Sequence, residues 1–281
     1  DNHGYELEAT YNKRLNDDWS FTVKGNFAYN KNTQRFMDEA QKTADYAYRY
    51  RSTGYSIGQC FGYKIDYSNG NGYINTEEEL DNALATYQVG GTPRLGDFLY
   101  VDVNEDGVID EKDQAPIKYS DIPRITYGFS GSVNWKNFDF SFLFSGIAKA
   151  SRVYTGWGAT EFGLVGFYSD YHLQAWTAER YANGEEIKYP ALASSPGTSQ
   201  KANDFFIMDR SFLRLKNIEL GYTLPKKLLK KVGINSTRVY VNGNNLLTWK
   251  AMKTDAIDPE QSAELNYPIT KMMNFGINVT F

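Results

Sequence analysis

The sequence predicts an all-β protein whose antiparallel strands form part of a transmembrane β-barrel. Three observations carry this prediction: apolar and polar residues alternate along several stretches, aromatic residues make up 16% of the 281 residues, and the final strand ends on Phe281. Successive side chains of a strand point to opposite faces, so this alternation gives one apolar and one polar wall. In an outer-membrane barrel, lipid covers the apolar wall and aromatic girdles lie at the two interfaces.

The composition excludes several other classes of protein. A net charge of −4 and a pI near 5.4 provide no electrostatic footprint for nucleic acid. Mean hydropathy is −0.55, and no stretch approaches the roughly 18 to 20 apolar residues of a transmembrane helix. The single cysteine, Cys60, excludes an internal disulfide framework. The first residues lead straight into a strand pattern, which favours a mature or truncated chain.

The alternation predicts seven strands, at residues 5–11, 19–29, 127–135, 138–145, 212–223, 237–248 and 273–281. Phe occupies four successive alternate positions from Phe138 to Phe144, which is typical of a lipid-facing stripe. Short connections (15–18, 136–137 and 224–236) alternate with long ones. The long connections, residues 31–123 and 148–210, are predicted to be extracellular loop insertions, because outer-membrane barrels have short periplasmic turns.

The insertions and connections contain local signals of their own. Thr76 and Glu79 form a capping box that predicts a helix to about Tyr87. Residues 57–67 and 96–103 have strand patterns, which we assign to the first insertion; a further membrane-crossing pair is the alternative. Residues 224–231 predict a short capped helical turn.

Seven to nine strands cannot enclose a wide pore, and an open sheet edge in lipid would leave amides unpaired at several kcal/mol each. The chain therefore forms a narrow barrel alone or contributes to a larger one. Loops that make up more than half of the chain favour the second possibility. We expect a carboxy-terminal portion of a larger barrel.

Several separated motifs resemble the SusC/RagA-like TonB-dependent transporters in order and spacing. The run FLRLKNIELGYTLP at 212–225 is similar to that family's penultimate hairpin. The likeness continues through 238–240, 244–248 and 258–260, and upstream segments at 61–64, 96–113 and 127–129 resemble the family too. The resemblance therefore spans nearly the whole chain.

The resemblance implies a 22-stranded outer-membrane barrel in Bacteroidota, closed by an amino-terminal plug domain. It implies a SusD-like surface lipoprotein as a lid, TonB as the source of energy, and oligosaccharides or peptides as substrates. Residues 1–281 would be the carboxy-terminal part of the barrel. The plug domain and the TonB-contacting region would lie outside this chain, so TonB would act through that missing amino-terminal region.

The segment DVNEDGVIDEKD at 102–113 fits a calcium-binding loop with a structural Ca²⁺. The predicted ligands are the side chains of Asp102, Asn104, Asp106, Asp110 and Asp113 and the backbone carbonyl of Val108. Gly107 occupies the sixth position, where the loop needs a sharp turn. Asp replaces the usual Glu at the twelfth position, which shortens its reach. The alternative is a series of Asx turns that satisfy only their own backbone.

Aromatic residues crowd the insertions and are candidates for binding a substrate or a protein partner. The candidates are Tyr46, Tyr48, Tyr50, Trp157, Tyr168, Tyr171 and Trp176. The alternative is that they form small hydrophobic cores, which loops of this length need. Both roles stay open at the level of sequence.

Catalysis finds no support in the sequence. His3 and His172 have no spaced partner for a zinc site or a catalytic triad, so we predict that the chain is not an enzyme. Two other classes remain: a structural or adhesive outer-membrane barrel that binds a surface ligand without transport, and a secreted all-β glycan-binding module. The second would be soluble without detergent.

Overall fold

A computed structural model describes residues 1–46, 48, 51–155, 159–161, 168, 170–230, 233–261, 267 and 269–281. These residues contain eleven strands: β1 (Asn2–Arg14), β2 (Trp19–Asn32), β3 (Gln59–Gly62), β4 (Ala115–Ser120), β5 (Ile125–Trp135), β6 (Phe138–Ala148), β7 (Ser151–Val153), β8 (Ile207–Asp209), β9 (Phe212–Thr223), β10 (Ser236–Lys250) and β11 (Met272–Thr280). The α-helices are α1 (Glu77–Thr86), α2 (Ala178–Ala182) and α3 (Lys226–Leu229).

Seven strands form one antiparallel sheet in the order β1-β2-β5-β6-β9-β10-β11, so each strand pairs with the sheet strand that follows it in the chain. All seven predicted strands are confirmed. The small pairs β3-β4 and β7-β8 lie within the two insertions. Strands β1 and β11 are the edges of the large sheet, which is the arrangement expected of a wall segment that pairs with further strands.

The cross-strand register gathers the apolar residues on one face of this sheet. At the end of the short turns, four rings form a row across four strands: Trp19, Trp135, Phe138 and Tyr222, whose successive centroids are 5.5, 5.9 and 4.6 Å apart. The same face continues through Phe142, which is in register with Gly131 and Ile218. Large apolar side chains on this face remain exposed, including Phe129, Trp135 and Phe275. An exposed apolar sheet face of this size needs a cover.

The opposite face is polar and carries its own hydrogen bonds. Arg238 on β10 pairs with Asp139 on β6 and with Glu219 on β9, at 2.6 Å in the second case. The carboxylate of Glu219 also accepts a hydrogen bond from Asn242. A polar face opposite an apolar one is the pattern of a strand that separates lipid from an aqueous lumen.

The two insertions share a large hydrophobic core, although they are separated by the hairpin β5-β6. Its buried residues are Tyr63, Ile65, Tyr73, Phe98, Tyr100 and Ile109 from the first insertion and Ala175, Trp176, Tyr189, Phe205 and Phe206 from the second. The rings of Phe98 and Phe205 meet with centroids 5.3 Å apart. Asp97, fully buried beside them, accepts hydrogen bonds from the hydroxyls of Ser199 (2.8 Å) and Thr198 (3.1 Å). The insertions therefore fold as a single unit.

Two local predictions in the first insertion have different outcomes. The strand expected at 57–67 is present only as β3, and its partner is β4 rather than residues 96–103. Residues 96–103 are not a strand; Phe98 and Tyr100 make isolated bridges with Tyr73 and Ile65, because their alternate side chains fill the shared core. Neither segment joins the large sheet.

The helical predictions are confirmed in outline. Helix α1 begins after Thr76, whose hydroxyl accepts from the amide of Glu79 while the Glu79 carboxylate accepts from the Thr76 amide. Helix α3 is a single turn that begins at Lys226, and Pro225 before it provides no side-chain cap, so the predicted cap is absent. Within the described residues, no helix has the length and apolarity needed to span a membrane.

Candidate functional site

Three clefts adjoin one another along the segment 252–261. Two lie between this segment and the insertions, and the third lies between it and strands β9 and β10. The largest, about 610 Å³, has Tyr67, Asn71, Phe205 and Lys253 among its lining residues. A second cleft of about 440 Å³ shares Lys188 and Lys253 with the first. A third, about 320 Å³, shares Asp255 with the second and reaches Arg214 on β9. Clefts of this size suit small ligands.

Tyr67 provides an exposed ring on the wall of the largest cleft. The turn around it is fixed by Asn69, whose carboxamide oxygen accepts from the amide of Gly72 (2.9 Å) and whose amide donates to Glu79 (2.8 Å). Gly72 has a φ of +77°, and a β-carbon there would approach the Tyr67 ring to 3.0 Å. The ring therefore packs on the glycine backbone, while the residue remains 53% exposed.

Lys253 lies at the junction of the first two clefts. Its ammonium is 5.0 Å from the centroid of the Phe205 ring, and the side chain is exposed. The turn that presents it is held by Lys250, whose ammonium donates to the carbonyl of Thr254 (2.7 Å) and pairs with Asp255 (2.9 Å). The charge of Lys250 is thus neutralised by Asp255, whereas the ammonium of Lys253 lies over the Phe205 ring.

The ammonium of Lys118 increases the positive potential near Lys253. Burial lowers the pKa of Lys118, and the charge of Lys253 lowers it further. Burial raises the pKa of the nearby Asp204, although both lysines act against that rise. One buried oxygen of Asp204 has no hydrogen-bond partner among the described residues, so this carboxylate is poorly stabilised as an anion.

A buried arginine fixes the 252–261 segment to the polar face. Arg214, 1% exposed, donates to Asp258 (2.5 Å), to Glu260 and to the hydroxyl of Thr248 (2.9 Å). Lys216 adds a second cation to Glu260 at 2.6 Å. This clamp positions one wall of the clefts, because 252–261 carries both Lys253 and Asp255.

The predicted calcium loop has the expected turn. Gly107 adopts a φ of +84°, and the carboxylate of Asp102 accepts from the amides of Glu105 and Gly107, both at 2.7 Å. Asp113 is buried and accepts from the amides of Val103 and Asp110, both at 2.8 Å; burial raises the pKa of Asp113. These oxygens satisfy the loop's own backbone.

Lys112 supplies a cation beside the predicted ligands. Its ammonium lies 2.6 Å from Asp45, 3.6 Å from Asp106 and 3.8 Å from Asp110. The hydrogen bond to Asp45 is the main reason why the pKa of Lys112 rises to about 12 and that of Asp45 falls to about 2. Among the described residues, no three Asp, Glu, His or Cys side chains converge as a metal site. The Asx-turn alternative accounts for these contacts, and calcium stays a prediction.

The predicted aromatic residues do not form one site. Trp176 is 7% exposed in the shared core and donates its indole NH to Asn75 at 3.0 Å, which favours the core alternative; its role in binding stays a prediction. The hydroxyl of Tyr46 donates to Glu111 (2.6 Å), near the calcium-like loop, and Tyr48 is half-buried. Tyr168 is exposed and meets the His172 ring edge-on. Tyr50, Trp157 and the side chain of Tyr171 lie outside the described residues.

The cleft residues were not predicted from the sequence. Tyr67, Lys188 and Lys253 come from three distant segments that only tertiary packing brings together. The one local signal was the turn sequence SNGNGY at 68–73, which predicts a tight loop rich in side-chain amides.

An antiparallel meander with a bare apolar face, a polar opposite face and a folded unit in its long loops defines a wall segment of an outer-membrane β-barrel. No protein-family model matches the chain. TonB-dependent receptor P3 of Formosa agariphila is 27% identical over the whole chain and 29% of that receptor. TonB-dependent receptor SusC of Bacteroides thetaiotaomicron is 24% identical over the whole chain and 26% of SusC. The structure of the RagAB peptide transporter matches the whole chain and 29% of the solved chain, with a TM-score of 0.68 and 23% identity.

The homologues of this chain are thus TonB-dependent receptors, SusC among them, and the resemblance found in the sequence is confirmed. The chain spans about 29% of the length of receptor P3 and corresponds to the carboxy-terminal part of such receptors. The predicted barrel fold and outer-membrane localisation are confirmed. These relatives are receptors and transporters rather than enzymes.

Proposed function

We propose that this chain forms the carboxy-terminal wall and outer loops of a TonB-dependent importer of nutrients. The imported substrates are oligosaccharides or peptides, and a SusD-like surface lipoprotein covers the loop side. TonB delivers energy through a region of the protein outside these 281 residues. The chain itself binds and guides substrate and carries out no chemistry on it.

The observation that carries the proposal is the difference in structure between the two ends of the sheet. Short turns join the strands at one end, while at the other the two insertions build one folded unit around a shared core. Two clefts lie between that unit and the segment 252–261, a third lies between this segment and strands β9 and β10, and the three are linked by shared lining residues, Lys253 and Asp255. A preformed binding region above a polar wall is suited to capturing a solute before its passage through a barrel.

Uptake by intact cells tests this function. We expect deletion of the gene to abolish accumulation of labelled oligosaccharide or peptide, and inactivation of TonB to do the same in cells that keep the gene. Co-purification from membranes should recover a surface lipoprotein with the barrel. Unchanged uptake combined with loss of binding to a surface ligand would instead identify the structural or adhesive barrel.

For the loop at 102–113 we propose a structural Ca²⁺ held by the predicted ligands. The five oxygen-bearing side chains at the required spacing and the sharp turn at Gly107 support this. The role of the ion would be to order the first insertion. To bind it, the ammonium of Lys112 would have to leave Asp106 and Asp110.

Lys112→Gln is therefore expected to strengthen calcium binding by about fivefold, because it removes the ammonium that pairs weakly with the predicted ligands Asp106 and Asp110. Asp106→Asn should weaken binding. Calorimetric titration of the full-length protein with CaCl₂ measures both changes, with Lys227→Gln as the charge-matched control on helix α3. If the wild type and Lys112→Gln bind no calcium, the loop is a series of Asx turns only.

A further inference from the structure

The cation at Lys253 is available to a ligand. Among the residues that the structure describes, no carboxylate lies within ion-pair distance of its ammonium, whose described contact is the ring of Phe205. The neighbouring cations are committed: Lys250 binds Asp255, and Lys118 donates to the carbonyls of Asp204 (3.0 Å) and Ile207 (2.5 Å). Lys253 therefore provides an uncommitted positive charge on a cleft wall.

A second ammonium lines the same two clefts. Lys188 pairs with Glu186 at 2.9 Å, and both side chains are at least half exposed. Exposed pairs of this kind contribute little to stability, so an incoming anion can compete for Lys188. The two ammoniums together mark the junction of clefts of about 610 and 440 Å³.

Several of the remaining lining groups suit a hydroxylated ring, although the carboxylates of Asp170 and Asp255 also line the smaller cleft, where Asp255 is paired with Lys250. Tyr67 is 53% exposed on the wall of the larger cleft, and flat aromatic faces stack on sugar rings. Asn71 lines the larger cleft, and Gln174 and Thr254 line the smaller one. Side-chain amides and hydroxyls both donate and accept, as does a sugar hydroxyl.

We propose that these two clefts bind an acidic oligosaccharide, with a sugar ring on Tyr67 and its carboxylate or sulfate group on the ammoniums of Lys253 and Lys188. This inference rests on the proposed import function and names its substrate class. Anion and ring are recognised together, because the aromatic wall and the cations line one cleft. The binding is electrostatic in part and therefore weakens as salt is added.

Calorimetric titration of the full-length transporter tests the assignment. The probes are a uronic-acid trisaccharide, a sulfated trisaccharide, a neutral trisaccharide of the same linkage and an acidic tripeptide. Lys253→Gln should weaken binding of the two acidic sugars about tenfold, because one charge-assisted hydrogen bond is lost. It should leave the affinity for the neutral sugar unchanged. Tyr67→Ala should weaken acidic and neutral sugars alike.

Lys227→Gln, which removes another exposed positive charge, on helix α3, is the matched control and should bind all probes as the wild type does. Lys253→Arg should retain most of the affinity for the acidic sugars. The proposal is overturned if Lys253→Gln and Lys227→Gln bind the acidic sugars equally well, or if only the acidic tripeptide depends on Lys253. Uptake by cells distinguishes failure of this proposal from failure of the proposed function. If neutral sugar or peptide is imported in a TonB-dependent way and Lys253 has no effect, only the acidic-sugar proposal is removed. If there is no TonB-dependent import at all, the proposed function is removed.

Discussion

Replacing Arg214 with methionine is expected to release the segment 252–261 from the polar face of the sheet. Methionine fills much of the same space but leaves Asp258 and Glu260 without the guanidinium that both now contact. Removal of one partner from a buried ion pair costs about 3 to 5 kcal/mol. We expect the lower end, about 3 kcal/mol, because both carboxylates keep some contact with water and Lys216 still pairs with Glu260.

Hydrogen exchange of the full-length protein in detergent measures this release directly. Amides of 252–261, such as that of Gln261, which donates to the carbonyl of Asp258 at 3.0 Å, should exchange about 100-fold faster. Arg14→Met is the control, since the ion pair between Arg14 and Asp17 is solvent-exposed and such pairs contribute little to stability. Equal exchange in this segment for Arg214→Met and the wild type would show that the clamp does not hold it.

Replacing Phe142 with lysine is expected to destabilise the barrel by about 2 to 4 kcal/mol, the cost of a cation on the lipid face near the bilayer midplane. Phe142 lies in the middle of β6, and its ring packs on Phe129 and Phe144, with centroids 5.5 and 5.8 Å away. The ring also covers Gly131, where a β-carbon would approach it to 2.7 Å. The substitution therefore removes a well-packed apolar surface and introduces a charge there.

The adjacent residue provides a matched control. Ser141 lies on the polar face, in register with Glu219 of β9, so a lysine at this position meets an opposite charge across the strands. Urea unfolding of the full-length protein in phospholipid vesicles should show a large loss for Phe142→Lys and little change for Ser141→Lys. Equal losses for the two variants would mean that the faces have been assigned wrongly.

The strands could be predicted from the sequence because their signal is local. The period of two from Phe138 to Phe144 fixes both the strand and its apolar face. The alternation does not predict the bulge in β10 at Asn245, which has a φ of +55°. The capping box at Thr76 was equally readable, since both partners lie within one turn.

The shared core and the clefts could not be predicted, because they depend on contacts between distant segments. Residues 96–103 have the pattern of a strand, yet Phe98 packs against Phe205 more than a hundred residues away. Trp176 looked like a binding residue for the same reason: an aromatic residue in a long loop is equally suited to a surface and to a core. Lys253 carries no motif at all, and only the fold brings it beside Lys188 and Phe205.

One measurement tests most directly whether hydrocarbon touches the apolar face. In the full-length protein in lipid vesicles, with Cys60 replaced by serine, nitroxide labels are placed singly at each position from Phe138 to Ser145. Accessibility to oxygen, which concentrates in hydrocarbon, should be highest at 138, 140, 142 and 144, and accessibility to a water-soluble nickel complex should be highest at the positions between. Exclusion of both reagents from the even-numbered positions would place those phenylalanines inside a protein core and contradict the membrane-barrel assignment.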